Sequence, residues 1–172
     1  PYPLKKVEIP SADLGNRGLL FAGIGWYTRL EFPYLNNIME HGEYVHIEKA
    51  GLKIYPEYGT YSDFNALPDS IFLYIADENN VVTDAVKDYL GKQVQGGKLV
   101  KDDLFLGNTY YYFDVTQFMK EELGASGKYK HNLQLVFNSD DYTKTLKNLT
   151  FSAPNGQNPI ILQLNYKIYE SY

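Results

Sequence analysis

Three histidines, His41, His46 and His131, are the first candidates for metal or acid–base chemistry, and cysteine is absent from the chain. A zinc site needs histidine, cysteine or carboxylate ligands at close spacing, as in HExxH on one helix face. None of the histidines has a carboxylate at such a spacing, so solvated loop histidines explain them better. Without cysteine, neither a disulfide framework nor a thiolate metal site can form. We therefore expect no resident metal or other cofactor.

Hydrolytic chemistry has two conceivable sources. A serine nucleophile would need a strand-to-helix elbow such as GxSxG, and this motif does not occur. Glycoside hydrolysis needs two carboxylates held about 5–9 Å apart across a cleft, and Glu31, Glu48 and Asp114 are the acidic residues on or beside regular elements. No spacing singles them out, and Asp114 is better explained as a helix cap. The sequence favours a protein that is not an enzyme, with a glycoside hydrolase as the alternative.

Calcium is a further possibility that the sequence leaves open. Oxygen-rich segments occur at residues 77–80 (DENN), 102–103 (DD) and 138–141 (NSDD). None has the glycine and the twelfth-position glutamate of a calcium-binding loop. Asparagine and aspartate are also the residues that turns use by default, which is the simpler interpretation.

Aromatic side chains are the most suggestive binding feature, because the chain has 17 tyrosines. Such rings can stack on sugar faces or anchor a protein interface at low entropic cost. Tyr110 and Tyr112, which share one strand face, are further candidates, but half of any tyrosine-rich strand must point into a core, so we expect most tyrosines to be core residues. One polar loop holds the best exposed candidates for ligand binding. These are Tyr55, Tyr58, Tyr61 and Phe64.

The elements that would position these residues are mainly strands. Residues 107–124 (GNTYYYFDVTQFMKEELG) change from strand alternation to a one-sided helix that stops at a glycine. Asp114 with Gln117 three residues later resembles a capping box. The helix should bury Val115, Phe118, Met119 and Leu123.

Other segments give clear strand patterns. Residues 70–77 (SIFLYIAD) are apolar on both faces and predict a central strand, while a parity change near Lys49 predicts a bulge. In the last strand, the even-numbered residues 160–168 should point inward. A short helix is predicted at residues 33–42 (PYLNNIMEHG), and tight turns at Gly96–Gly97 and at residues 155–156. Residues 81–91 fit both helix and strand.

These patterns predict an all-β fold, a two-sheet antiparallel sandwich that is jelly-roll-like, with two short covering helices. At 172 residues the chain fits one domain, residues 1–172. The net charge of −5, with no lysine or arginine cluster in the sequence, argues against a nucleic acid partner. The longest apolar stretch, GLLFAGIGW, is far shorter than the roughly 20 residues that span a bilayer.

Five segments carry a resemblance: GLLFAGIGWYTRLEFPYL, HIEKAGLKIYP, LPDSIFLYIAD, YYYFDVTQFMKEELG and PIILQLNYKIYE. In this order they resemble the C-terminal β-sandwich region of a Bacteroidota cell-envelope lipoprotein family whose function is not established. The resemblance implies an export signal, a lipidated cysteine upstream and display at the outer membrane surface. Since this chain has no cysteine, it would be either a fragment of a longer exported protein, which reaches the membrane only through that upstream anchor, or an unlipidated relative.

The expected function is a non-catalytic extracytoplasmic binding or assembly module, whose ligand is a glycan or another envelope protein. A purely structural spacer domain is a third interpretation beside this one and the glycoside hydrolase. A concave groove of aromatic and amide groups would favour a sugar, whereas a flat apolar patch of several hundred Å² would favour a protein.

Overall fold

The computed structural model describes residues 7–35, 37–38, 44–88, 90–91, 93–102, 108–126, 131–152 and 159–169. Within these residues the chain forms ten β-strands and two α-helices. The strands are β1 (Arg17–Phe21), β2 (Thr28–Leu30), β3 (Tyr44–Ile54), β4 (Ser70–Ala76), β5 (Val82–Ala85), β6 (Gly96–Val100), β7 (Tyr110–Asp114), β8 (Asn132–Val136), β9 (Asn148–Ser152) and β10 (Ile161–Tyr169). The helices are α1 (Thr116–Ser126) and α2 (Ser139–Lys144).

The strands form two antiparallel sheets of unequal size. Eight strands make the large sheet, in the order β10-β3-β7-β6-β4-β8-β2, with β5 paired to β4 beside this path. The small sheet pairs β1 with β9. This arrangement confirms the predicted all-β two-sheet antiparallel sandwich, and β4 is a central strand, as its two apolar faces indicated.

One hydrophobic cluster joins the two sheets and helix α1. The large sheet contributes alternate residues of its strands, such as Leu73 of β4 and Phe113 of β7, because successive side chains point to opposite faces. The small sheet contributes Leu20 and Phe151. The predicted apolar stripe of α1 is confirmed, since all four of its residues are buried. They are Val115, Phe118, Met119 and Leu123.

Strand β7 ends at Asp114, and helix α1 begins two residues later at Thr116. The Asp114 carboxylate accepts a hydrogen bond from the Thr116 backbone N–H at 2.9 Å, so the predicted cap is confirmed. The other hydrogen bond of the predicted capping box, between the Gln117 side chain and the Asp114 backbone, is wrong. The Gln117 side-chain amide donates instead to the Glu121 carboxylate at 2.7 Å. The helix also continues through Gly124 to Ser126.

Strand β3 has the predicted bulge. Asn165 of β10 lies opposite Lys49 and Tyr166 lies opposite Ile47, so Glu48 is the extra residue. This insertion lets both Ile47 and Ala50 face the core although they are three residues apart. The parity change in the sequence is therefore explained by the ladder itself.

The predicted hairpin turn at Gly96–Gly97 is wrong. Both glycines lie inside β6, which pairs with β4 and β7. The Phe113 ring of β7 occupies the space over Gly97, where only glycine leaves room for it, whereas the Phe72 ring of β4 lies at ordinary contact distance from Gly96.

The burial predicted for the last strand holds for its first half. Leu162 and Leu164 pack against the core, whereas Tyr166 and Ile168 are 41% and 38% exposed, which contradicts their predicted inward position. The reason is that β10 is an edge strand: among the described residues it pairs with β3 alone, so its side chains have a strand neighbour on one side only.

The remaining local predictions have mixed outcomes. Residues 33–35 form a turn that buries Leu35, while residues 36 and 39–42 of the predicted helix lie outside the described residues, as does the predicted turn at residues 155–156. The second helix of the structure is α2, which the sequence reasoning missed. The ambiguous segment at residues 81–91 contains β5.

The buried phenol of Tyr111 in β7 provides a test of the core by pH. The Tyr111 hydroxyl donates a hydrogen bond to the Pro68 carbonyl at 2.6 Å. Burial, and then the nearby negative charge of Asp69, raise the pKa of Tyr111 well above its ordinary value of 10.0. The folded state therefore keeps its proton when the unfolded state loses it, so this contribution to stability is present below pH 10 and is lost as the pH rises above it.

Tyr111→Phe should consequently be less stable than the wild type at pH 8, by about 1 kcal/mol, because the Pro68 carbonyl loses its donor. The difference in the free energy of unfolding should disappear near pH 11. Above the unfolded-state pKa the wild type loses about 1.4 kcal/mol of stability per pH unit through Tyr111, and the variant does not. Urea denaturation across this range measures both curves, and the other tyrosines cancel in the comparison. Parallel curves would contradict the assignment.

Candidate functional site

The loop that follows β3 is held against the small sheet by its backbone. Pro56 forms an isolated bridge with Phe151 of β9, and the Glu57 N–H donates to the Thr150 carbonyl at 2.8 Å. Within the loop, the Thr60 N–H and hydroxyl both donate to the Glu57 carbonyl, at 3.2 and 2.7 Å. The loop therefore has a defined conformation that it owes to its own hydrogen bonds.

Two side chains fix this loop further. The Asn65 amide donates to the Thr60 carbonyl at 2.9 Å and to the Asn148 side chain of β9 at 3.3 Å. Arg17 of β1 donates from two nitrogens to one Glu57 carboxylate oxygen, at 2.7 and 3.0 Å. Both strands of the small sheet thus hold the segment that carries the predicted binding residues.

The four predicted ligand-binding residues fall into two groups. Tyr58 is 67% exposed and Phe64 is fully exposed, although both lie in the hydrogen-bonded loop. Tyr55 and Tyr61 are half-buried. The structure therefore brings two of the four aromatic rings into solvent, and their role in binding stays a prediction.

Tyr55 connects this loop to the open face of the large sheet, the face opposite the core. Its ring centroid lies 5.5 Å from that of Tyr110 on β7, with the planes tilted by 47°. The Lys53 Nζ lies 5.1 Å from the Tyr110 ring centroid, which is cation–π distance. Tyr111, between Tyr110 and Tyr112 in sequence, is buried in the core, so the two flanking tyrosines lie on the open face.

The three carboxylates considered for glycoside hydrolysis are already engaged. Glu31 pairs with Arg29, Glu48 pairs with Lys167 at 2.5 Å, and Asp114 caps α1. The hydrogen bond from Lys167 lowers the pKa of Glu48, whereas a general acid needs a raised one. Glu31 follows β2, five strands away from β3, so at about 4.8 Å per strand it is separated from Glu48 by about 24 Å across the sheet. This geometry gives a hydrolase no support.

The histidines and the oxygen-rich segments serve local structure where they are described. His46 is exposed on β3, His131 bonds to the buried Glu122 carboxylate, and His41 lies outside the described residues. In the part of the chain that the structure describes, no three histidine or acidic side chains lie close enough to hold a metal ion.

The turn at residues 77–80 illustrates what the oxygen-rich segments do. Its Asp77 carboxylate accepts hydrogen bonds from the Asn79 and Val81 N–H groups, both at 2.9 Å. In the segment at residues 138–141, the Asn138 side chain accepts from the Asp140 N–H at the start of α2. These are the ordinary uses of such residues in turns and caps.

Sequence reasoning missed a group of lysines on the open face. Lys49 and Lys53 lie on β3 and Lys98 lies on β6, on either side of Tyr112 in β7. No run of basic residues in the sequence indicates this group, because the members come from separate strands. The alternation of β3, with Lys49, Gly51 and Lys53 on one face, was the available signal.

Together, these features define an antiparallel β-sandwich that presents aromatic rings from a hydrogen-bonded loop and tyrosines and lysines from an open sheet face. No protein-family model, curated protein or solved structure matches the chain. Among the described residues, every helix is too short or too polar to cross a bilayer.

Proposed function

We propose that this chain is a non-catalytic extracytoplasmic module of a bacterial cell surface that binds a glycan. The observation that supports the proposal is the hydrogen-bonded loop after β3. Tyr58 and Phe64 of this loop are exposed, while its backbone is hydrogen-bonded to β9. A loop that is already ordered loses little conformational entropy on binding, and exposed aromatic rings supply contact area. The polar groups of the same loop, such as the Ser62 hydroxyl, suit a hydroxylated ligand.

The second candidate ligand is another envelope protein. Strand β10 supports this candidate, because it is an edge strand with exposed apolar side chains. A peptide segment that extends the sheet would use the free backbone groups of such an edge. The exposed apolar residues are Ile161, Tyr166, Ile168 and Tyr169.

The proposed location rests on the resemblance to the Bacteroidota lipoprotein family. Display at the outer membrane surface, through a lipid anchor upstream of this chain, predicts that antibodies to the domain label intact cells of a strain that carries the full-length protein. Labelling that requires permeabilised cells would count against the location without affecting the glycan proposal.

A glycan array probed with the purified chain tests the proposed function. Tyr58→Ala and Phe64→Ala should each weaken binding to the best glycan about tenfold, which is the loss typical of an aromatic contact residue at an interface. Their thermal midpoints should stay close to the wild type, since exposed side chains contribute little to folding.

Tyr34→Ala is the matched control, because Tyr34 is 79% exposed and follows β2, which is five strands away in the large sheet from β3, where the loop begins. This variant should bind like the wild type. Crosslinking on intact cells identifies protein partners in parallel with the glycan array. A protein crosslinked through β10, together with no glycan bound on the array, would favour the second candidate. Silence in both experiments would favour a spacer domain and reject the glycan proposal.

A further inference from the structure

Tyr112 lies between two lysines on the open face of the large sheet. Lys53 of β3 and Lys98 of β6 are its direct partners in the two neighbouring ladders. Directly opposed residues share a face, and adjacent strands are about 4.8 Å apart, so the two lysine backbones flank the tyrosine at a separation of about 10 Å. Lys98 is exposed, and Lys53 and Tyr112 are partly exposed.

The tyrosine ring lies over Gly51 of the neighbouring strand β3. A Cβ added to Gly51 of β3 would lie 3.0 Å from both the Tyr112 Cε2 and its Oη, so the ring covers the Gly51 backbone. Tyr110, two residues earlier on the same face, carries Lys53 over its ring and contacts Tyr55. The result is an aromatic surface in which the Lys53 ammonium lies over Tyr110 and Lys98 lies beside Tyr112, continuous with the start of the predicted binding loop.

This surface has a local charge opposite to that of the whole chain, whose net charge is −5. Among the described residues, no carboxylate pairs with Lys53 or Lys98, whereas six other lysine or arginine side chains have carboxylate partners. The carboxylates nearest along β3 and β7 are engaged, since Glu48 pairs with Lys167 and Asp114 caps α1. The two lysines are therefore available to an anionic ligand.

We infer that this surface binds an acidic glycan, with Lys53 and Lys98 pairing with the carboxylates of uronic acid residues and the ring of Tyr112 contacting the sugar face. The inference rests on the proposed glycan-binding function and names its ligand class. Flat tyrosine rings suit the apolar face of a sugar ring, and ammonium groups act as point charges for carboxylates. A nucleic acid fits less well, because so few lysines on an acidic chain would neutralise few phosphates.

Isothermal titration calorimetry with a galacturonic acid hexamer tests this assignment. Its methyl-esterified form is the matched ligand control, because it keeps the sugar rings and removes the charges. The acid should bind, and its binding should weaken when ionic strength rises from about 0.05 to about 0.5 M, as expected for exposed ion pairs. The ester should bind more weakly and without this salt dependence.

Three variants, with a fourth as the control, separate the contribution of charge to binding from that of ring stacking. Lys53→Gln and Lys98→Gln should each weaken binding of the acid about three- to tenfold and leave binding of the ester unchanged. Tyr112→Leu, which keeps an apolar side chain over Gly51, should weaken both ligands. Lys120→Gln removes an exposed charge from α1 and should match the wild type. Thermal melts of all variants show that the comparison uses folded protein.

Several results would overturn the inference. These are equal affinity for acid and ester, wild-type affinity in both lysine variants, an equal loss in Lys120→Gln, or tighter binding of hexaglutamate or a thymidylate 12-mer than of the uronate. Failure here and failure of the proposed function are distinguishable. If the lysine variants behave like the wild type while Tyr58→Ala and Phe64→Ala lose glycan binding, the proposed function stands and the acidic ligand class does not.

Discussion

Gly97→Ala is expected to lower the free energy of unfolding by about 1–3 kcal/mol, the usual cost of overpacking a core. A Cβ at this position would lie 2.2 Å from the Phe113 Cζ, far inside contact distance. Phe113 is completely buried, so its ring cannot turn into solvent to make room. Either the ring or strand β6 must move, and both are held by neighbours on two sides. Urea denaturation measures the loss.

Gly96→Ala is the matched control one residue earlier in the same strand. Its Cβ would lie 3.5 Å from the Phe72 ring, which is ordinary contact, so alanine should be neutral or slightly stabilising there. Gly97→Ala combined with Phe113→Leu should recover part of the stability, because the smaller side chain leaves room for the methyl group. Equal effects of the two single alanine variants would show that Phe113 does not occupy the space over Gly97.

The same pairing of glycine and aromatic ring recurs across this fold. Gly18 lies opposite Phe151 in the small sheet, with an added Cβ 2.2 Å from that ring, and Gly51 lies beneath Tyr112. In each case a ring from the neighbouring strand occupies the volume that a side chain would fill. Sequence reasoning predicted a turn at Gly96–Gly97 because the partner strand, and therefore the ring, is not visible in a single sequence.

The features that the sequence did predict are those set by neighbouring residues. The alternation in β4, the cap at Asp114 and the bulge beside Lys49 each depend on a few consecutive side chains. The exposure of Tyr166 and Ile168 depends instead on the strand order, which leaves β10 at an edge. Alternation fixes which face a residue is on, and tertiary packing decides whether that face is covered.

The residues of the candidate site also divide into those that the local sequence predicts and those that depend on the strand order. The exposure of Tyr58 and Phe64 follows from a local cluster of polar and turn-forming residues, so the sequence could predict it. The lysines beside Tyr112 come from β3 and β6 and are more than forty residues apart in the chain. They flank the same tyrosine because β7 pairs with both strands. A local pattern carries no information about such a neighbour.

Phe151→Ala should have the largest effect on stability, a loss of about 3–5 kcal/mol, as expected when a buried phenylalanine is removed from a core. Phe151 is one of the largest fully buried side chains and belongs to β9 of the small sheet. A two-stranded sheet is marginal by itself, so its stability must come from packing on the large sheet. The variant therefore tests whether the two sheets unfold as one unit, as predicted for a single domain at residues 1–172.

Two probes make this test sharp. Trp26, the single tryptophan, exchanges backbone hydrogen bonds with Phe21 at the end of β1, so its fluorescence reports on the small sheet. Far-ultraviolet circular dichroism reports mainly on the large sheet. Both should give the same midpoint in guanidinium, in the wild type and in Phe151→Ala, with both midpoints shifted together in the variant. Phe64→Ala, at a fully exposed ring, should shift neither. A fluorescence transition that moves while the circular dichroism transition stays would mean that the small sheet unfolds separately.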